Sequence, residues 1–543
     1  MLNDKDRLII STAIPQITND FHSVTDIGWY GSAYLLTNCA FQLLFGKLYT
    51  FFGVKAVFLT AVFLFEAGSA ICGAAPNSVS FIVGRAIAGL GSSGIMSGAI
   101  VIIVYAVPLH KRPLYQGLFG AVFGISSIIG PLLGGAFTSN VSWRWCFYIN
   151  LPFGGLAMVF IALLLRVPDR ETTKLPLKQK LLQLDLLGTT AFLPGTICLL
   201  LALQWGGLTH PWADGRMIAL LVLAGALLTA FTAIQILKPD TATVPPRIFT
   251  QQSILSGFWA TVCVGAHMMI FVYFLPIWFQ AVKGVSPIDS GVRLLPMCLS
   301  VVAGSVTAGL LISRVGYYTP FMMAGSCLMA VGAGLLTTFR TSETTNDAAS
   351  NEWIGYQVLY GFGLGNVFQA PNLAAQTVLD ERDVPVGTSL MFFGQLLGGA
   401  VFVSVGQNVL GNQLVERLGP LLLDSSVVGG GGGSEQLKVG DLLGETGATS
   451  FVARLPEEIR GAVLVEYNEA LRRVFQVGLV MTCLGLFGAV GMEWRSVKEK
   501  KEKTQGDGEE GGGDGTTSSS SVYGVAVVVA SESEKEGRGP AGN

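Results

Sequence analysis

Charge is scarce in this 543-residue chain. Asp, Glu, Lys and Arg make up 13% of it, about half of what a soluble protein carries. That shortage, with 51% hydrophobic residues and a mean hydropathy of +0.55, excludes a soluble globular domain and leaves a polytopic membrane protein. A net charge of −2 offers no basic surface to nucleic acid. The eight cysteines form no C-x-x-C pair and no Cys/His ligand spacing, so neither a disulfide framework nor a metal site is expected. They lie in or beside apolar segments and read as small fillers. The phosphate-cradling pattern G-x-x-x-x-G-K-[ST] is missing, which disfavours a nucleotide partner and ATP-driven work. G-x-S-x-G and H-E-x-x-H are missing too, so nothing points to an enzyme or calls for a cofactor. No cleavable signal pattern opens the chain.

Apolar stretches are what the chain does have. Runs near the length of a spanning helix fall at 28–50, 54–75, 79–106, 114–137, 147–165, 184–204, 217–237, 254–279, 290–312, 318–339, 353–378, 386–411 and 473–493. A shorter stretch, 8–17, precedes them and brings the total to fourteen. Its ten residues would span about 15 Å, half of the roughly 30 Å hydrocarbon core. The first helix therefore reads as truncated: either the start is set too late, or the chain carries half a helix. With the loop after 28–50 inside, the cytoplasmic loops hold thirteen Lys and Arg, and the outer loops hold Arg144, Arg216, Lys283 and Arg340. This asymmetry fixes the orientation and puts the C-terminus in the cytoplasm.

Weak internal repetition suggests a duplicated six-helix unit. Gly46…Gly53 recurs as Gly309…Gly316, Gly130-x-Leu-Leu-Gly134-Gly135 as Gly394-Gln395-Leu396-Leu397-Gly398-Gly399, and Gly89-Leu90-Gly91 as Gly363-Leu364-Gly365. The expected organisation is an N-terminal six-helix bundle at 1–167 and a segment 168–253 with two inserted helices. A C-terminal bundle at 254–493 follows, including a long outer loop at 412–472, and a disordered tail occupies 494–543.

The stretch 120–135, GAVFGISSIIGPLLGG, stands out. Gly120, Gly124, Gly130, Gly134 and Gly135 share roughly a 140° arc of one helix face, where another backbone can approach closely. Pro131 would bend the helix inside that strip. The run Gly130-Pro131-x-x-Gly134-Gly135 in the fifth apolar segment, with Ser126 four residues before Gly130, resembles the antiporter motif of the major facilitator superfamily. The chain as a whole resembles its fourteen-helix drug:proton antiporters, especially fungal efflux pumps for toxins and secondary metabolites. The resemblance implies an all-α major-facilitator fold of two six-helix bundles plus two inserted helices, with the glycine strip as the hinge. It also implies a monomer in the plasma membrane that exports small, largely apolar organic compounds by alternating access, driven by protons.

Three residues are candidates for proton coupling. Arg85 is a charge well inside a spanning segment and must face a cavity or a partner. Asp6 lies in Asp6-Arg7-Leu8-Ile9-Ile10-Ser11-Thr12-Ala13-Ile14-Pro15, which resembles the family's first-helix motif with Leu8 in place of Thr. Glu66 lies mid-helix, where an acid is costly unless satisfied or protonated. Tyr34, Asn38 and Gln42 at i, i+4, i+8, with Gln369, Asn372, Gln376 and Gln395 in the second half, are candidates to line a substrate cavity. The competing reading is that such amides bridge helices. Gly46 to Lys55 resembles the superfamily's cytoplasmic loop motif, with Thr50 in place of the usual Asp. His267 reads as a hydrogen-bonded packing residue. The sequon at Asn140 lies close to the membrane, which argues against glycosylation. Two further readings remain at this stage: proton-coupled uptake of a nutrient or siderophore, and an inactive truncated paralogue.

Overall fold

The computed structural model describes residues 13, 16–23, 26–167, 170–207, 210–340, 351–424 and 457–498. Asp6, all of 8–17 except Ala13, Gln16 and Ile17, and the tail beyond 498 lie outside them. The architecture is helical, and among the described residues the only bridges are two isolated ones. Apolar runs of this length must become helices, because lipid offers no partner for a free backbone N–H or C=O.

The first bundle contains α1 (Ile27–Phe51), α2 (Val54–Ala74), α3 (Ser78–Ala106), α4 (Arg112–Asn140) and α5 (Asn150–Leu164). A hairpin of α6 (Leu186–Trp205) and α7 (Gly215–Leu237) follows. The second bundle contains α8 (Gln252–Ala281), α9 (Leu295–Val315), α10 (Thr319–Leu336), α11 (Glu352–Phe368), α12 (Ala370–Val378), α13 (Val384–Asp424) and α14 (Glu457–Val490). Ten helical segments among the described residues are long and apolar enough to cross a membrane. Local signals place several boundaries. The Asn77 side chain accepts the Ser80 N–H at 2.9 Å and caps α3. Gly316, at φ +96°, ends α9 in the left-handed conformation a glycine adopts without strain.

Two expectations need correction. The outer loop at 412–472 is helical at both ends, because α13 runs on to Asp424 and α14 begins at Glu457. Leu410, Leu414 and Leu418 belong to one buried cluster with Val463, Tyr467, Ala470 and Leu471, and Arg417 bonds Glu466 at 2.8 Å. The helix expected at 353–378 is two helices that meet at Gln369. Pro371 cannot donate to the carbonyl four residues back, and its ring crowds that carbonyl.

The inserted hairpin is tied to both bundles. α6 packs on α1 and α13, with Phe192 against Phe393 at 5.3 Å and Trp29 against Trp205 at 5.7 Å between ring centroids. At the end of the molecule where the 238–251 linker runs, called here the linker end, Asp185 gathers the connections. One oxygen accepts from Gly188 N at 2.8 Å and caps α6. The other accepts from Gln235 Nε2 at 2.6 Å and from the Thr243 N–H and hydroxyl at 3.0 and 2.9 Å. Burial by itself would raise the pKa of this carboxyl, but the four hydrogen bonds outweigh it and hold it below the ordinary value.

The sign of the linkage follows. Stabilisation by Asp185 is fully present above about pH 4 and is lost as pH falls through the lowered folded value. Asp185→Ala strands the Gln235 and Thr243 donors and should cost about 1–3 kcal/mol at pH 7. Melting curves of the purified protein by tryptophan fluorescence, from pH 7 to about pH 2.5, should show the variant's deficit shrinking at the acid end.

Candidate functional site

The two bundles meet along two seams, one paved with glycine and the other carrying a single glycine at its closest point. On the first, α1 lies on α13. A Cβ added to Gly46 would stand 2.8 Å from Ser389 Oγ and 3.1 Å from the Pro385 carbonyl oxygen. On the second, α9 lies on α4, and a Cβ at Gly309 would stand 2.6 Å from the Pro113 carbonyl oxygen. Gly46 and Gly309 are the repeat-related pair found in the sequence. Pro113 and Pro385 are each the second residue of their helix, where a proline loses no hydrogen bond. Each seam therefore sets a bare helix face on the first turn of its partner.

The glycine strip of α4 divides along its length. Gly120 meets the Ser305 side chain, and a Cβ at Gly124 would come within 2.5 Å of Val302 Cγ2. Gly117 extends the strip toward the linker end, with the Ser305 carbonyl 2.6 Å from an added Cβ. Gly130 and Gly134 are buried, while Gly135 faces open space. Pro131 lies within the continuous helix.

Neutral polar side chains collect at these seams. Gln42 Nε2 donates to Ser97 Oγ at 2.6 Å, and Ser97 meets Ser389 of the second bundle at 3.1 Å. Asn38, on the same face of α1, is 4% exposed. Across the other seam, Gln116 of α4 and Asn366 and Gln369 of the second bundle line a crevice of about 20 Å³. Asn372 Nδ2 bonds Gln369 Oε1 at 3.5 Å, and Gln376 follows one turn later on α12. Seven side-chain atoms of Asn38, Gln42, Gln116, Asn372 and Gln376 are buried without a hydrogen-bond partner. Gln395 is half-buried, and its carbonyl packs on Gly265 of α8, within the second bundle.

The expected charges lie elsewhere. Arg85 is 1% exposed in the first bundle. Its Nε donates to the Tyr30 carbonyl at 3.0 Å, and its guanidinium sits 4.4 Å from the Tyr34 ring and 6.0 Å from the Phe147 ring. Tyr34 is thus a stacking partner of Arg85, about two turns of α1 before Gln42. Glu66 of α2 is buried against Gly154 of α5, where only a glycine leaves room for its carboxyl. His267 Nδ1 is 2.7 Å from the Tyr360 hydroxyl, deep in the second bundle. Asn140 is exposed and donates to the Ala136 carbonyl at 2.9 Å. A separate pocket of about 400 Å³, lined by Phe402, Val409, Arg473 and Val477 among others, lies between α13 and α14 and away from both seams.

Several of these positions escaped the sequence reading. Gln116 and Gly117 stand one turn before Gly120, so extending the glycine strip backwards would have found them. Ser97, Ser389 and the two prolines give no local signal, because their role exists only across the interface. The same is true of the linker-end contacts: Lys47 Nζ donates to the Thr241 carbonyl at 3.2 Å, and Arg247 grips Asp383 with two bonds of 2.6 and 2.8 Å.

Comparison with known proteins bears on what this arrangement is for. Residues 1–403 match the family model described as Major Facilitator Superfamily. An MFS-type transporter of Claviceps purpurea is 53% identical over 502 residues, covering 92% of this chain and 84% of that one. The efflux pump aflT of Aspergillus parasiticus is 49% identical over 497 residues, covering 91% and 93%. Among solved structures, the proton:xylose symporter XylE superposes with a TM-score of 0.52 at 14% identity, over 92% of this chain and 96% of that one.

The seam geometry makes a direct prediction. Gly309→Leu should overpack against Pro113 and cost about 1–3 kcal/mol, lowering the melting temperature of the purified protein. Gly135→Ala, on the same strip as Gly120 but facing open space, should leave it unchanged. Equal losses in the two variants would contradict the placement of the seam.

Proposed function

The chain belongs to the major facilitator superfamily and is a membrane transporter rather than an enzyme; we propose that it exports small, largely apolar organic compounds in exchange for protons. The observation that carries this reading is the pair of glycine seams. A carrier that alternates access needs two rigid bodies whose contact can be made and broken. Gly46 on Ser389 and Pro385, and Gly309 on Pro113, give such a contact, with only small side chains nearby. The relatives named as efflux pumps support the outward direction.

In this reading the linker end faces the cytoplasm, in keeping with the Lys and Arg bias of its loops. The protein acts as a monomer in the plasma membrane, with its C-terminus inside. The seams close the cavity from the cytoplasm, and its polar lining comes from Asn38, Gln42, Gln369, Asn372 and Gln376. The glycines of α4 act as the bearing. Arg85, held by the Tyr30 carbonyl and two ring faces, couples proton movement to the change of shape together with Asp6. Glu66 is a second candidate, placed to titrate between α2 and α5. Each protonation would change how well one state is satisfied relative to the other, and so shift their populations.

Yeast cells lacking their own multidrug pumps provide the test. Expression of the full chain should lower accumulation of an exported compound several-fold, and a protonophore should abolish the difference. Arg85→Ala should remove export while leaving membrane expression intact. Raised accumulation would indicate uptake, and unchanged export in Arg85→Ala would remove that residue from coupling.

A further inference from the structure

The helices that bring the two bundles together carry almost no acid. Helices α1, α3, α4, α8, α9 and α12, the segment 353–368 and the segment 384–411 contain no Asp or Glu. Among the described residues, the one carboxylate in the middle of a spanning helix is Glu66, and it faces Gly154 inside the first bundle. Neither α2 nor α5 makes a substantial contact with the second bundle.

The cations of the same helices are already engaged or peripheral. Lys47 binds the Thr241 carbonyl, and Arg112 binds the Val104 and Val107 carbonyls at 2.7 and 2.9 Å. Arg85 holds the Tyr30 carbonyl beneath two aromatic rings, and Arg314 stands in the last turn of α9.

What remains at the seams is a set of amides with unused capacity. Oxygens of Asn38, Gln42, Gln116, Asn372 and Gln376 and nitrogens of Gln116 and Gln376 are buried and unpartnered. A buried amide atom without a partner costs free energy, so these atoms are best satisfied by a guest that brings both donors and acceptors. An organic cation moved into the same place would meet no counter-charge among the described residues, and dipoles alone do not repay the loss of its hydration. An anion would meet no free cation.

We propose that the transported compound is uncharged and carries both acceptors, such as carbonyl or ether oxygens, and hydroxyl or amide donors. Gln42, Gln116, Asn372 and Gln376 bind it, and permanently charged organic cations are excluded. This deepens the export reading and rests on it. Gln116, from the first bundle, is an added member of the lining. The crevice it shares with α12, about 20 Å³, has room for no more than a water while the seam is closed, so a guest bridges Gln116 and α12 only once the seam opens.

The test measures accumulation in pump-deficient yeast expressing the full chain, with two classes of probe. Cycloheximide, chloramphenicol and cerulenin are uncharged and carry both donors and acceptors; ethidium and tetraphenylphosphonium are permanent cations. The proposal expects at least one uncharged probe to fall three-fold or more and neither cation to change. A fall in either cation overturns the proposal while leaving export standing. No change in any probe overturns the export reading, and the proposal with it. Gln376→Glu and Gln116→Glu supply the missing counter-charge from opposite bundles. At least one should lower tetraphenylphosphonium accumulation two-fold or more. If both still export the uncharged probe and neither gains the cation, the lack of a carboxylate is not what excludes cations.

Discussion

The structure depends first on how closely two helices approach where one of them presents a glycine. In lipid an apolar surface gains little by leaving its solvent, so helices are held by packing contacts and hydrogen bonds instead. Gly46 on the Pro385 carbonyl and Gly309 on the Pro113 carbonyl are such contacts, and the repeat places them in matching positions. A seam built this way has few rotamers to lock and few hydrogen bonds to break. It holds while closed and does little to resist opening.

The cations at the linker end follow a second rule. A helix C-terminus presents carbonyls with no partner in the helix and carries a partial negative charge. Arg170, beyond the end of α5, binds the carbonyls of Tyr49 and Phe52 at 2.8 and 2.9 Å, where α1 ends. Arg112 treats the end of α3 in the same way. Thr50, standing where the superfamily's loop motif usually has an acid, bonds the Gly46 carbonyl at 2.9 Å. Lys47 reaches the linker rather than an acid. The polar contacts at this end are therefore made to backbone carbonyls and through the Arg247–Asp383 pair, and the inserted hairpin joins them through Asp185 and Thr243.

The helices were legible because an apolar run near the membrane's thickness admits one backbone solution. The misreadings fall where that argument weakens. The extension of α13 is amphipathic rather than apolar: Leu410, Leu414 and Leu418 recur every four residues between polar ones, so a search for apolar length passes over it. The break at Gln369 was announced by Pro371, but a proline in a long apolar run is as compatible with a kink as with an end. Gly53 and Gly316 are related by the repeat, yet only Gly316 takes a positive φ. Equivalence in sequence did not carry the turn conformation across. Among the site residues, burial of Arg85, Glu66 and the amides followed from their place in apolar segments. Their partners did not, because Tyr30, Gly154 and Ser389 are distant in the chain and become neighbours only once the helices pack.

The claim that the two bundles must part at the α1–α13 seam for the protein to work can be tested at one pair of atoms. Ser97 and Ser389 lie on opposite bundles with their hydroxyl oxygens 3.1 Å apart. In a background without the native cysteines, Ser97→Cys with Ser389→Cys should cross-link under mild oxidation. Export by the linked protein should stop, and reduction should restore it. Full export by the cross-linked protein would contradict the account.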